Sequence, residues 1–98
     1  MNYRNKLEEL LLQVPKGKIT TYKEIAHAMN MRGYRFVGQL LNKNLHPEKY
    51  PCYKVVQSNG KLGGFALGES NKIKRLKADG IKVEKGKVVD FIQKLHRF

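Results

Sequence analysis

One residue in this 98-residue chain is equipped for nucleophilic sulfur chemistry: Cys52, the single cysteine, set in Pro51-Cys52-Tyr53-Lys54-Val55-Val56. A thiolate is a polarizable nucleophile, and nearby cations raise the thiolate fraction. Cys52 directly follows a proline where a loop should turn into a strand, a place from which a side chain can be presented to a cleft. The competing reading is an inert, buried filler, a common fate of a free cysteine in a small domain. A lone cysteine makes neither an internal disulfide nor a cysteine-rich zinc site. The histidines, His27, His46 and His96, are scattered and add no recognisable ligand spacing, so neither metal nor cofactor is expected.

The segments around this stretch must position it. Asn2 to about Gln13 places Tyr3, Leu7, Leu10, Leu11 and Val14 at helical spacing, with Pro15-Lys16-Gly17-Lys18 as the break. Thr21 followed by Glu24 reads as a capping box that opens a short helix from Tyr22 to about Met29. After Asn30-Met31-Arg32-Gly33, a second helix is expected from about Tyr34 to Lys43. Its apolar side carries Val37, Leu40 and Leu41, and Arg32, Arg35, Gln39 and Lys43 cluster opposite. Two short helices in tight succession, the second with a basic stripe, form a helix-turn-helix pattern, although a charged stripe can also be an ordinary solvated face.

Asn44 to Pro51 has two prolines and no period, and reads as a loop delivering Cys52. Ser58-Asn59-Gly60 between Tyr53-Lys54-Val55-Val56 and Lys61-Leu62 is a hairpin signal. Beyond a glycine-rich link at Gly63-Gly64-Phe65-Ala66-Leu67-Gly68, a helix from about Ser70 to Ala78 should point Ile73 and Leu76 inward and Lys72, Lys74, Arg75 and Lys77 outward, with Gly80 as C-cap. A small hairpin over residues 81–89 follows, then a last short helix capped by Asp90. The expected fold is mainly α with short β hairpins, a single winged helix-turn-helix domain over residues 1–98.

Composition narrows the partner. Twenty Lys plus Arg against eight Asp plus Glu give a formal charge of +12, more than solubility requires, and favour a polyanion. No apolar run approaches the roughly 20 residues of a spanning helix. Glu8 and Glu9 interrupt any signal-peptide core at the amino terminus. The chain is expected to stay in the cytoplasm in association with DNA, as a monomer, with no membrane contact.

Several separated motifs then agree in order and spacing with one family. Val14-Pro15-Lys16-Gly17-Lys18-Ile19-Thr20-Thr21-Tyr22, Arg35-Phe36-Val37-Gly38, Asn44, Pro51-Cys52-Tyr53-Lys54-Val55-Val56 and Gly60-Lys61-Leu62-Gly63-Gly64-Phe65 closely resemble the DNA-binding domain of the O6-alkylguanine-DNA alkyltransferases. The resemblance runs from about Val14 to Gly80. It implies that Cys52 is an alkyl acceptor that takes the carbon from guanine O6 irreversibly, once per molecule. It further implies that Arg35 is a finger filling the stack after the damaged nucleotide flips out, that Tyr22 crowds the phosphate to promote flipping, and that Asn44 is a hinge between recognition helix and active-site loop. The partner would be double-stranded DNA containing O6-alkylguanine, and flipping suits the chemistry because O6 is poorly reachable inside a stacked duplex.

The chain also departs from the family's pattern. Tyr53 stands where a histidine usually serves as the thiol's base, and a phenol is a poor base near neutrality. Lys54 replaces an arginine. Asp79 aligns with the glutamate that orients that histidine, one methylene shorter. Phe65 stands where tyrosine is common, and Ala66 and Leu67 make the expected base pocket more apolar. Pro51, Lys54, Asn44 and Phe65 are the expected supports of a site built on Cys52, Tyr53 and Asp79. Besides a working alkyltransferase, two readings stay open: an alkyltransferase-like lesion binder that flags damage without repairing it, and an ordinary winged-helix regulator with an inert cysteine.

Overall fold

The computed structural model describes residues 3–31, 33, 35–42, 49–63 and 69–98, except for the side chains of Asn42 and Glu69. The expected residues Arg32, Lys43, Asn44 and Phe65 lie outside this set. Along the described chain run α1 (Tyr3–Gln13), β1 (Thr20–Thr21), α2 (Tyr22–Ala28), α3 (Arg35–Asn42), a 3-10 turn (Cys52–Lys54), β2 (Val55–Val56), α4 (Glu69–Ala78), β3 (Val83–Glu84), β4 (Lys87–Val88) and α5 (Phe91–Lys94).

The central element is a parallel pair: Thr20 lies opposite Val55 and Thr21 opposite Val56. Successive strand residues face opposite sides. Val55 accordingly enters a core with Leu7, Leu10, Leu11, Ile25, Val37, Leu41 and Cys52. Val56 enters a second core with Ile19, Leu62, Leu76, Ile81 and Val88. The first core is roofed by α1, α2 and α3, and the second by α4 and the β3–β4 hairpin. The C-terminal segment closes along the other side of β1, where Ile19 N–H donates to Lys94 O at 2.9 Å and His96 N–H to Ile19 O at 2.6 Å.

Helix boundaries follow local chemistry. Thr21 Oγ1 accepts from Glu24 N–H at 3.0 Å, the expected cap of α2. At the other end of α2, Met31 N–H reaches Ala26 O and Asn30 N–H reaches His27 O, with Asn30 at φ 59. That is a Schellman closure with asparagine at the left-handed position. α4 ends the same way: Ile81 N–H donates to Leu76 O, Gly80 N–H donates to Lys77 O, and Gly80 has φ +85, as expected of its C-cap.

Four expectations are corrected. The signal at Ser58-Asn59-Gly60 makes a tight turn, with Gln57 N–H bonded to Lys61 O, but no hairpin. Val55–Val56 pair in parallel with the distant Thr20–Thr21 instead, because both faces of β2 are buried and the ladder needs a partner between two cores. Lys72, expected outward, is fully buried, with Nζ 2.6 Å from Val55 O. The long stem fills core volume while the ammonium keeps a carbonyl acceptor. Asp90 precedes α5 but makes no side-chain cap, being held at φ 56. Tyr3, expected in the core, is 39% exposed and meets Phe36 edge to face at 5.4 Å. The small hairpin forms as expected, β3 with β4, through Lys85-Gly86 at φ 50 and φ 76.

The left-handed asparagine makes a direct test. Asn30→Gly should leave stability unchanged or slightly raised, while Asn30→Ala should cost about 1 kcal/mol in urea denaturation, because only the second places an unfavourable side chain at positive φ.

Candidate active site

The Cys52 turn is built in two steps. Pro51, at φ −76 and ψ 71, forms an inverse γ-turn closed by Cys52 N–H to Tyr50 O at 2.7 Å. Lys54 N–H then returns to Pro51 O at 3.1 Å, and Val55 N–H returns to Cys52 O, which launches β2. The cysteine does sit at a loop-to-strand junction. Its side chain, however, packs into the first core and is only 4% exposed.

Three of the expected site residues come together behind this turn. Lys54 Nζ lies 3.4 Å from Asp79 Oδ2 and donates to Val14 O at 3.2 Å and Pro15 O at 3.1 Å. An ammonium has three protons, and here it faces three acceptors. Asp79 Oδ2 also accepts from Gly17 N–H at 3.0 Å. The pair therefore ties the loop after α1, the C-terminal end of α4 and the Cys52 turn to one another. Both side chains are under one-tenth exposed, so each would bear a large desolvation cost alone.

Tyr53 is the third member. Burial pushes its phenol above the ordinary 10.0, the Asp79 carboxylate adds to the rise, and Arg75 opposes it. The Lys54 ammonium stands 6.0 Å from the centre of the Tyr53 ring. A phenol held in this way stays protonated near neutrality and can donate a hydrogen bond but not accept a proton from a thiol. This is the chemistry of a positioned neutral group.

The basic stripe expected on the second helix is partly described. Arg35 opens α3 and, like Gln39 one turn later, is exposed, opposite buried Val37 and Leu41. Arg4 was not singled out in the sequence, yet its guanidinium donates to Leu40 O at 3.0 Å and so covers a carbonyl in the last turn of α3. Tyr22 is half-buried at the start of α2. A Cβ added to Gly63, which has φ +73, would lie 2.9 Å from the Tyr22 hydroxyl oxygen. Glycine at 63 thus lets the chain pass against the tyrosine. Its position in Gly60-Lys61-Leu62-Gly63 was visible beforehand, but its partner was not. Among the described residues no group of three or more metal-ligating side chains occurs, and no helix is long and apolar enough to cross a membrane.

Two outcomes follow from this cluster. Lys54→Met strands the Asp79 carboxylate and should cost about 3–5 kcal/mol in urea denaturation, with part of the loss recovered in Lys54→Met/Asp79→Leu. For Tyr53, the folded state holds the phenolic proton more tightly than the unfolded chain does. Its contribution is therefore present below about pH 10 and is lost as pH rises through the raised value. The melting temperature of the native protein should fall more steeply above about pH 10 than that of Tyr53→Phe.

Comparison with known proteins gives this geometry its family. The model of the 6-O-methylguanine DNA methyltransferase DNA-binding domain matches residues 2–81. A bifunctional methyltransferase/endonuclease of Picrophilus torridus is 43% identical over 83 residues, which make up 84% of this chain and 28% of that protein. The chain thus spans under a third of that relative. The crystal structure of S. pombe Atl1 with damaged DNA containing O6-carboxymethylguanine superposes with a TM-score of 0.84 at 28% identity, covering 98% of this chain and 95% of the other. The O6-methylguanine-DNA methyltransferase of Pyrococcus kodakaraensis gives a TM-score of 0.75 at 31% identity over 82% of this chain and 47% of that one. On the strength of the match over residues 2–81, together with the helical fold and short strands that carry Cys52, the chain belongs to the 6-O-methylguanine DNA methyltransferase family.

Proposed function

We propose that this protein binds duplex DNA containing O6-alkylguanine, flips out the damaged nucleotide and transfers the alkyl group to Cys52. The observation that carries this reading is the retained thiol at the start of the 3-10 turn, within the stretch that matches the family. In the transfer, the Cys52 thiolate attacks the alkyl carbon and an S–C bond forms. The C–O6 bond breaks, its electron pair returns to guanine, and the base regains a proton. The thioether is stable, so each molecule acts once. No cofactor enters this balance.

In this reading Arg35 fills the vacated stack and Tyr22 crowds the phosphate, with Gln39 on the DNA-facing side of α3, Arg32 and Lys43 adding DNA contacts from the sequence before and after that helix, and Asn44 acting as the hinge before the active-site loop. Pro51 shapes the turn that holds the thiol, and Phe65 borders the base. Insertion of an arginine into the stack suits a protein that must find damage, because it reads deformability more than sequence. Asp79 is committed to Lys54 and Gly17, and Tyr53 keeps its proton, so reactivity here rests on a positioned thiolate without a histidine base.

A second reading is favoured by a different observation. The likeness to Atl1, a protein crystallised with damaged DNA, extends over nearly the whole of both chains, and the Cys52 side chain is enclosed in the first core. A protein of this design would bind and flip the lesion without accepting the alkyl group. Intact mass after incubation with O6-methylguanine duplex separates the two. Transfer predicts a methyl adduct that disappears in Cys52→Ala, and tight lesion binding with unchanged mass would select the second reading. With transfer in hand, Arg35→Ala should slow repair of duplex at least tenfold more than reaction with free O6-benzylguanine.

A further inference from the structure

The formal charge of +12 is far larger than α3 can use, since Arg35 is the one cation within that helix. Five further lysines gather around the β3–β4 hairpin. Val83 and Val88 point from the β3–β4 hairpin into the second core, so strand alternation turns Lys82, Glu84 and Lys87 outward. Lys61 bridges to Lys87 in antiparallel register, which sets two lysines side by side on that outer surface. Lys85 occupies the tip at φ 50, where glycine or asparagine is favoured. Lys77 joins Lys82 in lining a hollow at the base of the hairpin, together with Glu84.

These lysines, 61, 77, 82, 85 and 87, are all exposed, and none has an ion-pair partner among the described residues. Like charges placed directly across a ladder are unfavourable. Glu84, opposite Lys87 in the β3–β4 ladder, offsets part of that repulsion. A concentration of unpaired cations with a like-charge pair at its centre is the electrostatic form of a phosphate-backbone contact.

Its placement separates it from α3. α3 covers the core entered by Val55, whereas the hairpin covers the core entered by Val56, and the two valines face opposite sides of the β1–β2 ladder. The two exposed surfaces therefore lie over different cores. We infer that the β3–β4 hairpin and Lys61 form a second, sequence-independent DNA-backbone surface, through which one molecule contacts a second duplex segment while α3 engages the first. This goes beyond alkyl transfer and shares with it only the nature of the partner.

Undamaged labelled duplex, titrated across a range of salt concentrations, tests the surface in the full chain. The triple variant Lys61→Gln/Lys85→Gln/Lys87→Gln alters exposed positions and relieves a like-charge contact, so its thermal midpoint should be no lower than that of the native protein. Its slope of log K against log salt should be shallower by about 2–3, the loss expected when up to three phosphate contacts vanish. In sedimentation with excess duplex, the native protein and Arg35→Ala should form complexes with two duplexes, and the triple variant with one. An unchanged slope and stoichiometry in the triple variant, with the native protein still binding DNA, overturns the second surface alone. A native protein that ignores duplex overturns the DNA reading as a whole. Loss of binding to phosphatidylserine vesicles with unchanged duplex binding assigns the surface to a membrane and also overturns the proposal.

Discussion

Two residues of parallel pairing, Thr20–Thr21 against Val55–Val56, are the constraint on which the rest depends. The pair is short, but each of its members is buried, and its two valines supply adjacent cores on opposite faces. Parallel strands need a crossover, and here the intervening chain includes α2 and α3. The same strand that fixes the cores begins one residue after the Cys52 turn. The geometry of the thiol is thus inherited from the best-buried part of the molecule.

Buried lysines then secure that turn from two directions. Lys54 holds it to the loop after α1 and to Asp79 at the end of α4, and Lys72 reaches from within α4 to the Val55 carbonyl. Such groups are costly to desolvate, and they persist only where acceptors are already arranged for them. The consequence for chemistry is a division of labour unlike a proton relay. Asp79 neutralises a structural ammonium and receives the Gly17 amide, and the phenol of Tyr53 is driven toward its neutral form by burial and by that same carboxylate. What this cluster offers a reaction at sulfur is rigidity and charge.

The charge of the protein is distributed over the two halves that the ladder separates. On one side α3 presents Arg35 and Gln39 above Val37 and Leu41. On the other, the hairpin presents lysines above Val83 and Val88. In both places a buried apolar row orients an exposed polar one, which keeps these charges at the surface. Arg4 joins the first side to α1 by covering a carbonyl at the end of α3.

Local patterns determined a good part of this. The helical spacing of Leu7, Leu10 and Leu11, the Thr21–Glu24 cap, the glycine at 80 and the two faces of α3 are short-range features, because each depends on neighbours within about four residues. The family motifs likewise marked out Cys52, Arg35 and Tyr22 by order and spacing. Tertiary structure decided what is nonlocal. An Asn-Gly turn signal is identical whether its flanks pair with each other or not, and the demand for a buried partner sent Val55–Val56 to Thr20–Thr21, thirty-five positions earlier. A lysine on a helix reads as solvated until a carbonyl of another element meets it, as Val55 O meets Lys72. The company of Asp79, with Lys54 and Gly17 in place of a histidine, arises only when the end of α4 folds back on the loop after α1, because charge pairing between positions 54 and 79 leaves no periodic trace in the chain.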